Sequence, residues 1–296
     1  MAAFIGRNTE LSDLNRFLRK QTASLIVVKG RRRIGKSRLI EEFGKKERIY
    51  SFIGLPPGQE TTAQSQRDDF VRQLSRFFHV PPLRGEDWSD LFYFLAMQVQ
   101  EGRVIILLDE ISWMGSKDPD FLGKLKSAWD LYFKKNDQLI LILCGSISSW
   151  IEKNILSSTA FLGRVSFTIN LEELPLHDCN KFWNTTGARI SAYEKFKILA
   201  VTGGIPRYLE EIEPNQTAEY NIKQLCFKKG GFLTNEFEKI FSDLFSKRSQ
   251  KYKEIVKCLV NGPRSIKSIC EKLGVNRTGL ISGYLNDLVQ TNFVAR

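Results

Sequence analysis

The sequence is short of the residues from which histidine, thiol and zinc centres are built. Among 296 residues there are two histidines, His79 and His177, and five cysteines, at 144, 179, 226, 258 and 270, with no C-x-x-C pair. Isolated cysteines supply neither a disulfide framework nor a zinc site, and they suit a reducing cytosol. His177 stands in His177-Asp178-Cys179, but catalytic triads are assembled across a fold, not from adjacent residues; the segment reads as the start of a surface helix. Long apolar runs are missing as well. The longest, Leu91–Met97 and Leu139–Cys144, fall far short of the roughly 20 residues needed to cross a bilayer. The first ten residues lack a basic start followed by an apolar stretch, so no secretory leader is read. There is no internal repeat and no low-complexity tract. The expectation is a soluble cytoplasmic protein with no membrane partner.

Apolar residues make up 42% and charged residues 26% of the chain, the proportions of an ordinary globular protein. Its 296 residues leave room for two domains and part of a third, at about 150 residues per domain. Lys and Arg number 44 against 33 Asp and Glu, a net charge of +11. The excess is uneven: residues 247–296 hold ten Lys/Arg and three acids, so +7 of it lies in the last 50 positions. A basic end on a nearly balanced body points to a polyanion-binding module. The plain alternative is a solvated basic face.

Asn8 or Thr9 is expected to cap a helix running to Lys20, with Leu11, Leu14, Phe17 and Leu18 on one face. Ser24–Lys29 reads as a buried strand running into Gly30, followed by a helix near Lys36–Lys45 and a strand at Arg48–Ile53. Two amphipathic helices are expected near Thr62–Phe78 and Trp88–Gln100, and another from Pro119 to Lys134. Val104–Leu108, Leu139–Cys144 and Val165–Leu171 read as further strands. Buried strands separated by helices predict an α/β fold, a parallel sheet with helices on both faces. From about Leu176 the pattern is helical only, which sets expected boundaries near 172 and 247.

Gly30-Arg31-Arg32-Arg33-Ile34-Gly35-Lys36-Ser37 fits G-x-x-x-x-G-K-S/T at every fixed position. The glycines let the backbone turn its N–H groups inward around a phosphate, and the helix N-terminus adds partial positive charge. Lys36 can reach the β- and γ-phosphates of ATP, and the Ser37 hydroxyl can hold Mg²⁺. The candidate cofactor-binding residues here are Gly30, Arg33, Ile34, Gly35, Lys36, Ser37 and Arg38. The three loop arginines are read either as solvated side chains, the preferred reading, or as direct phosphate contacts. Val104–Leu108 then ends in Asp109-Glu110, and ligands of open α/β sheets bind at that carboxyl end. Asp109 is placed to hold Mg²⁺ as the Walker B acid, and Glu110 to polarise a water for attack on the γ-phosphate. A base aimed at water favours ATP hydrolysis to ADP over transfer to another acceptor.

With these motifs the sequence resembles an AAA+ ATPase, and more narrowly the prokaryotic ATPase family, prominent in archaea, that joins such a module to a winged helix. Phe4-Ile5-Gly6-Arg7-Asn8-Thr9-Glu10-Leu11 is similar to that family's opening F-I-G-R-x-x-E-L, and Gly30–Ser37 to its arginine-rich phosphate loop. Leu143-Cys144-Gly145-Ser146 resembles the strand end carrying the sensor-1 residue, Gly163-Arg164 the G-R arginine finger, and Gly203-Gly204-Ile205-Pro206-Arg207-Tyr208-Leu209 the turn of the helical lid. The resemblance covers essentially the whole chain. It implies an AAA+ type three-layer α/β domain at 1–172, a helical lid at 173–246 and a winged helix-turn-helix at 247–296. It also implies Ile5, Gly6 and Arg7 lining an adenine pocket, Pro206 near the adenine, and Arg207 as a weak sensor-2 candidate. Ser146 either senses the γ-phosphate or caps the next helix. Arg164 either enters a neighbouring copy's site, making a homo-oligomer, or is a plain surface arginine.

In the last segment Ile266, Ile269, Cys270 and Leu273 form one helical face, and Gly274-Val275-Asn276 precedes a second helix from about Arg277 to Gln290. This predicts a helix-turn-helix with Leu280, Tyr284, Leu285 and Leu288 inward. Asn276, Arg277, Thr278, Ser282 and Tyr284 are placed on or near the face or end approaching double-stranded DNA. Lys251, Lys253, Lys267 and Lys272 are candidate phosphate contacts. Such modules also serve as protein-interaction units. Residues 291–296 read as a first wing strand with no return strand, so a truncated wing, or a missing further domain as in some family members, is expected. Two other classes stay open: a slow nucleotide-held regulatory or defence switch, and a DNA-binding regulator with a structural ATP site.

Overall fold

A computed structural model describes residues 4–56, 58, 60–81, 84–184, 190–245, 248–276, 279–291 and 293–295. It divides into two compact units: one comprises Met1–Gly30, Gly35–Ser146 and Trp150–Leu171, the other Arg31–Ile34, Ile147–Ser149 and Glu172–Arg296.

The first unit is an α/β layer structure. Its helices are α1 (Asn8–Asn15), α2 (Lys36–Phe43), α3 (Ala63–Phe78), α4 (Trp88–Gln98), α5 (Ile111–Met114), α6 (Phe121–Leu131) and part of α7 (Ser148–Ile151). Its strands are β1 (Ser24–Lys29), β2 (Arg48–Ile53), β3 (Val104–Asp109), β4 (Leu139–Gly145) and β5 (Val165–Asn170). They form one parallel sheet in the order β2-β3-β4-β1-β5. Every residue of β3 and β4 is buried, which is why these strands read as unbroken apolar runs. Trp88, fully buried, stacks on Phe92 and meets Phe70 and Phe121 edge-on. Side chains of this kind contribute about 1.5–3 kcal/mol each on burial.

The expected strands lie within a residue of the observed ones, while helix ends differ. α1 stops at Asn15, short of Lys20, and a tighter turn at Phe17–Arg19 follows. Its N-cap is Arg7 in a left-handed conformation with no side-chain cap, so neither Asn8 nor Thr9 caps it. α3 begins as expected, after Thr62, whose hydroxyl and that of Ser65 form a reciprocal capping box. Pro119 lies outside α6, which starts at Phe121.

The second unit carries α8 (Leu176–Asn184), α9 (Ala192–Thr202), α10 (Pro206–Leu209), α11 (Ala218–Ile222), α12 (Glu236–Phe245), α13 (Ser249–Leu259), α14 (Ile266–Leu273) and α15 (Gly279–Gln290). His177 stands exposed in the first turn of α8. One core gathers Leu174, Trp183, Ile198 and Leu209. Another joins α12 to α13–α15 through Phe241, Tyr252, Ile269, Ile281 and Leu288, with Phe245 stacked on Tyr252 at 3.7 Å. The expected boundary near 247 therefore falls between helices that share a core. α14 ends on Gly274 in the left-handed region, the usual C-terminal stop.

Two expectations for this segment need correction. Leu280 is 62% exposed and Ile281 takes the inward place, because α15 is rotated from the assumed phase. Among the described residues of 291–296 there is no strand. The Phe293 N–H instead donates to the Leu288 carbonyl and its ring packs on Phe241, so the chain folds back onto the helical core.

Candidate active site

At the carboxyl end of β1, Gly30 adopts φ +152, and a Cβ there would lie 2.4 Å from the Leu171 carbonyl oxygen. Leu171 is held in place by donating its N–H to the Lys29 carbonyl at 2.7 Å. Gly30→Ala therefore meets both backbone strain and a clash, and is expected to lower stability by about 1–3 kcal/mol or more. Thermal unfolding checks this; a midpoint within about 1 °C of wild type contradicts it.

Gly35, left-handed at φ 92, delivers the chain into α2. The first residue of that helix, Lys36, is buried and donates from Nζ to the Gly30 carbonyl at 2.9 Å. The Ser37 hydroxyl donates to Asp109 Oδ2 at 2.6 Å. Asp109 ends β3, is itself buried, and accepts the Glu110 N–H at 2.9 Å. The start of α2 and the acidic strand end thus meet at the carboxyl end of the sheet. A hydroxyl and a carboxylate side by side are the hard oxygen donors that Mg²⁺ takes, and the helix N-terminus suits an anion.

Topology explains the next contact. β4 lies between β3 and β1, so Ser146, just past its end, comes beside Glu110. The Ser146 hydroxyl donates to Glu110 Oε1 at 2.5 Å and its N–H to Oε2 at 3.2 Å. Glu110 itself is left-handed, at φ 50 and ψ 48. Arg7 and Arg33 share that conformation, at φ 62 and 65. Strain in residues other than glycine gathers at functional sites, and three of the candidate positions carry it. Cys144, fully buried on β4, has its thiol pushed well up by burial and then by the nearby Asp109 charge; it is an inert thiol.

The remaining candidates lie elsewhere. Ile5 and Gly6 are half-buried beside Arg7, whose buried side chain pairs with Glu10 at 3.1 Å. Arg38 is half-buried on α2. Arg164 precedes β5 at the amino end of the sheet, opposite the loop. Its Nε and Nη2 donate to Asp130 of α6 at 3.0 and 2.7 Å. Asp130 also binds Lys126 at 3.0 Å, and its carboxyl is held far below the usual range, chiefly by Arg164.

In the second unit Pro206 opens α10, and Arg207 pairs with Glu210 and Glu211 at 3.0 and 2.6 Å. Two loop arginines depart from the solvated reading preferred for them: Arg31 pairs with Glu173 at 3.0 Å and Arg33 with Glu236. Asn276, Lys267 and Lys272 are exposed on or just after α14. Arg277 and Thr278 lie outside the described residues. Lys253 is not a phosphate contact, being buried and paired with Glu238. Tyr284 is a core residue against Tyr252. The ion pairs of Arg31 and Arg33 and the Ser146–Glu110 contact carry no local sequence signal, since each joins residues far apart in the chain.

A parallel sheet of this order, with a glycine-rich loop after β1 and paired acids after β3, has the fold of an AAA+ P-loop ATPase. The chain belongs to the family described as ATPase domain predominantly from Archaea, whose pattern matches residues 4–212. An uncharacterized protein of Methanocaldococcus jannaschii is 26% identical over 294 residues, 99% of this chain and 62% of that protein. The chain thus spans about three fifths of that relative's length. Among solved structures, a Walker-type ATPase of Pyrococcus abyssi superposes with a TM-score of 0.69 at 16% identity, covering 99% of this chain and 91% of that one. The ORC2 protein of Aeropyrum pernix gives 0.59 at 14% identity, covering 98% and 87%. The RuvB Holliday junction branch migration motor of Thermotoga maritima gives 0.53 at 13%, covering 99% and 90%. At these identities the likeness is one of fold. Among the described residues no helix is long and apolar enough to cross a membrane.

Proposed function

We propose that this chain binds ATP with Mg²⁺ and hydrolyses it, and that residues 247–296 form a basic helix-turn-helix module of winged-helix type that binds double-stranded DNA, with 173–246 acting as a lid. The observation that carries the reading is the Ser37–Asp109 hydrogen bond of 2.6 Å beside the buried Lys36. Ser37 and Asp109 would hold Mg²⁺, which supplies charge neutralisation for the phosphates when bound. Lys36 and the loop N–H groups bind the β- and γ-phosphates. Glu110 accepts a proton from a water whose oxygen attacks the γ-phosphorus; the bond to the bridging oxygen breaks, leaving ADP and phosphate. For this Glu110 must give up Ser146.

Arg164 serves as the finger for a neighbouring copy, where a guanidinium meets charge developing on the γ-phosphate. Hydrolysis rate measured against protein concentration, with and without duplex DNA, tests both halves. The specific rate is expected to rise with concentration and with DNA, and to fall about 10³-fold in Arg164→Ala. Activity independent of concentration and untouched by Arg164→Ala overturns the finger. DNA binding that does not weaken with salt overturns the phosphate-contact role of Lys267 and Lys272.

A second reading is favoured by one contact. Both Glu110 oxygens are occupied by Ser146, as suits a nucleotide-held switch in which hydrolysis is slow. Slow turnover insensitive to DNA selects it.

A further inference from the structure

Within the second unit the variable part of the phosphate loop is held by acidic side chains. Glu236, the first residue of α12, has a side chain only 6% exposed and forms an ion pair with Arg33. It also accepts the Tyr208 hydroxyl at 2.9 Å. The Arg33 guanidinium lies over the Phe232 ring at 4.7 Å, and Phe232 meets Tyr208 edge-on. Arg31 is held by Glu173 at 3.0 Å and lies over Phe293 at 5.3 Å. α12 in turn shares one core with α13, α14 and α15. The Arg33 position of a loop that would wrap a triphosphate is therefore tethered to α12, which packs with the helices that carry the chain's excess positive charge.

We propose that Glu236 is a positioning residue that reads the occupancy of the phosphate loop: it holds Arg33 in the empty loop and releases it to the phosphates when ATP binds. This rests on the ATP-site reading above. Arg33 lies two residues before Gly35 in the loop itself, close in the chain to Lys36 and Ser37. Planar guanidinium matches phosphate as well as carboxylate, and a triphosphate carries several times the charge of one carboxylate, which decides the competition. Once Arg33 leaves, the Glu236 carboxylate keeps two supports, the Tyr208 hydroxyl and the N-terminus of its own helix. Buried Tyr208 remains a neutral donor, because burial and the adjacent carboxylate raise its pKa. The first turn of α12 nevertheless loses an ion pair, so ATP changes the anchoring of the basic helices without touching them.

Removing the charge of Glu236 while keeping its shape tests the exchange. Glu236→Gln is expected to bind ATP about tenfold more tightly, because Arg33 no longer has to leave a carboxylate; its kcat is expected to change less than twofold. In an Arg33→Gln background the same substitution is expected to change ATP affinity less than twofold. Unchanged affinity in Glu236→Gln, or an undiminished effect without Arg33, overturns the proposal. Hydrogen exchange on the wild-type chain needs no variant: ATP is expected to accelerate exchange at the amides of residues 236–241, and Lys36→Ala to abolish that response. Slowed or unchanged exchange overturns it equally. Failure of wild type to bind ATP at all sinks the ATP-site reading together with this one, whereas binding with no effect of Glu236→Gln sinks this one alone.

Discussion

Glu110→Gln is expected to slow ATP turnover by about 10²–10⁴-fold, the range for loss of a general base, with ATP still bound. Glutamine keeps the size of the side chain and can accept the Ser146 N–H through its one carbonyl oxygen while its amide donates to the Ser146 hydroxyl, where Glu110 accepts from both. What it loses is the capacity to take a proton from water. The phosphate contacts of Lys36 and the loop are untouched, so affinity is expected to remain within a few-fold of wild type. Single-turnover hydrolysis together with equilibrium binding of ATP separates the two quantities. Turnover equal to wild type removes Glu110 from the chemistry and leaves the acid pair as solvated loop residues. Because Glu110 is left-handed at φ 50, Glu110→Gly relaxes the backbone but leaves the buried Ser146 hydroxyl without its acceptor, and it should be as inactive as the glutamine variant.

Lys36→Ala is expected to abolish measurable ATP binding. Its ammonium is buried and directed at the Gly30 carbonyl, 2.9 Å away, at the mouth of the loop. Charged hydrogen bonds contribute about 1.5–3 kcal/mol each, so losing two phosphate contacts weakens binding by at least about a hundredfold. A thermal unfolding midpoint close to that of wild type shows that the loss is one of binding and not of folding. ATP affinity within a few-fold of wild type contradicts the assignment of this loop to phosphate.

The strands were legible because β1, β3 and β4 are buried on both faces and must be apolar throughout. The phosphate loop and the acid pair were legible because each is continuous in sequence and follows such a strand. Other features were hidden for physical reasons. Arg33 looks like a solvated loop cation until the fold brings in Glu236, two hundred residues away. Ser146 and Glu110 meet only because β4 is inserted beside β3 in the sheet. Lys253 reads as one more basic side chain of a basic segment, and only packing shows it buried against Glu238. The wing strand was expected because residues 291–296 follow the helix-turn-helix, while Phe293 packs on the Phe241 ring.

The position of β1 in the sheet bears on synthesis. Ser24–Lys29 leaves the ribosome well before its sheet neighbours, Leu139–Gly145 and Val165–Asn170. An apolar strand made early must wait for partners made more than a hundred residues later, and long-range parallel pairing forms slowly. Until then the nascent chain presents an unpaired sticky segment of the kind that recruits chaperones. Stalling translation before residue 165 should leave a species prone to aggregation, and the lysine at the mouth of the loop would come into register only when the fifth strand arrives.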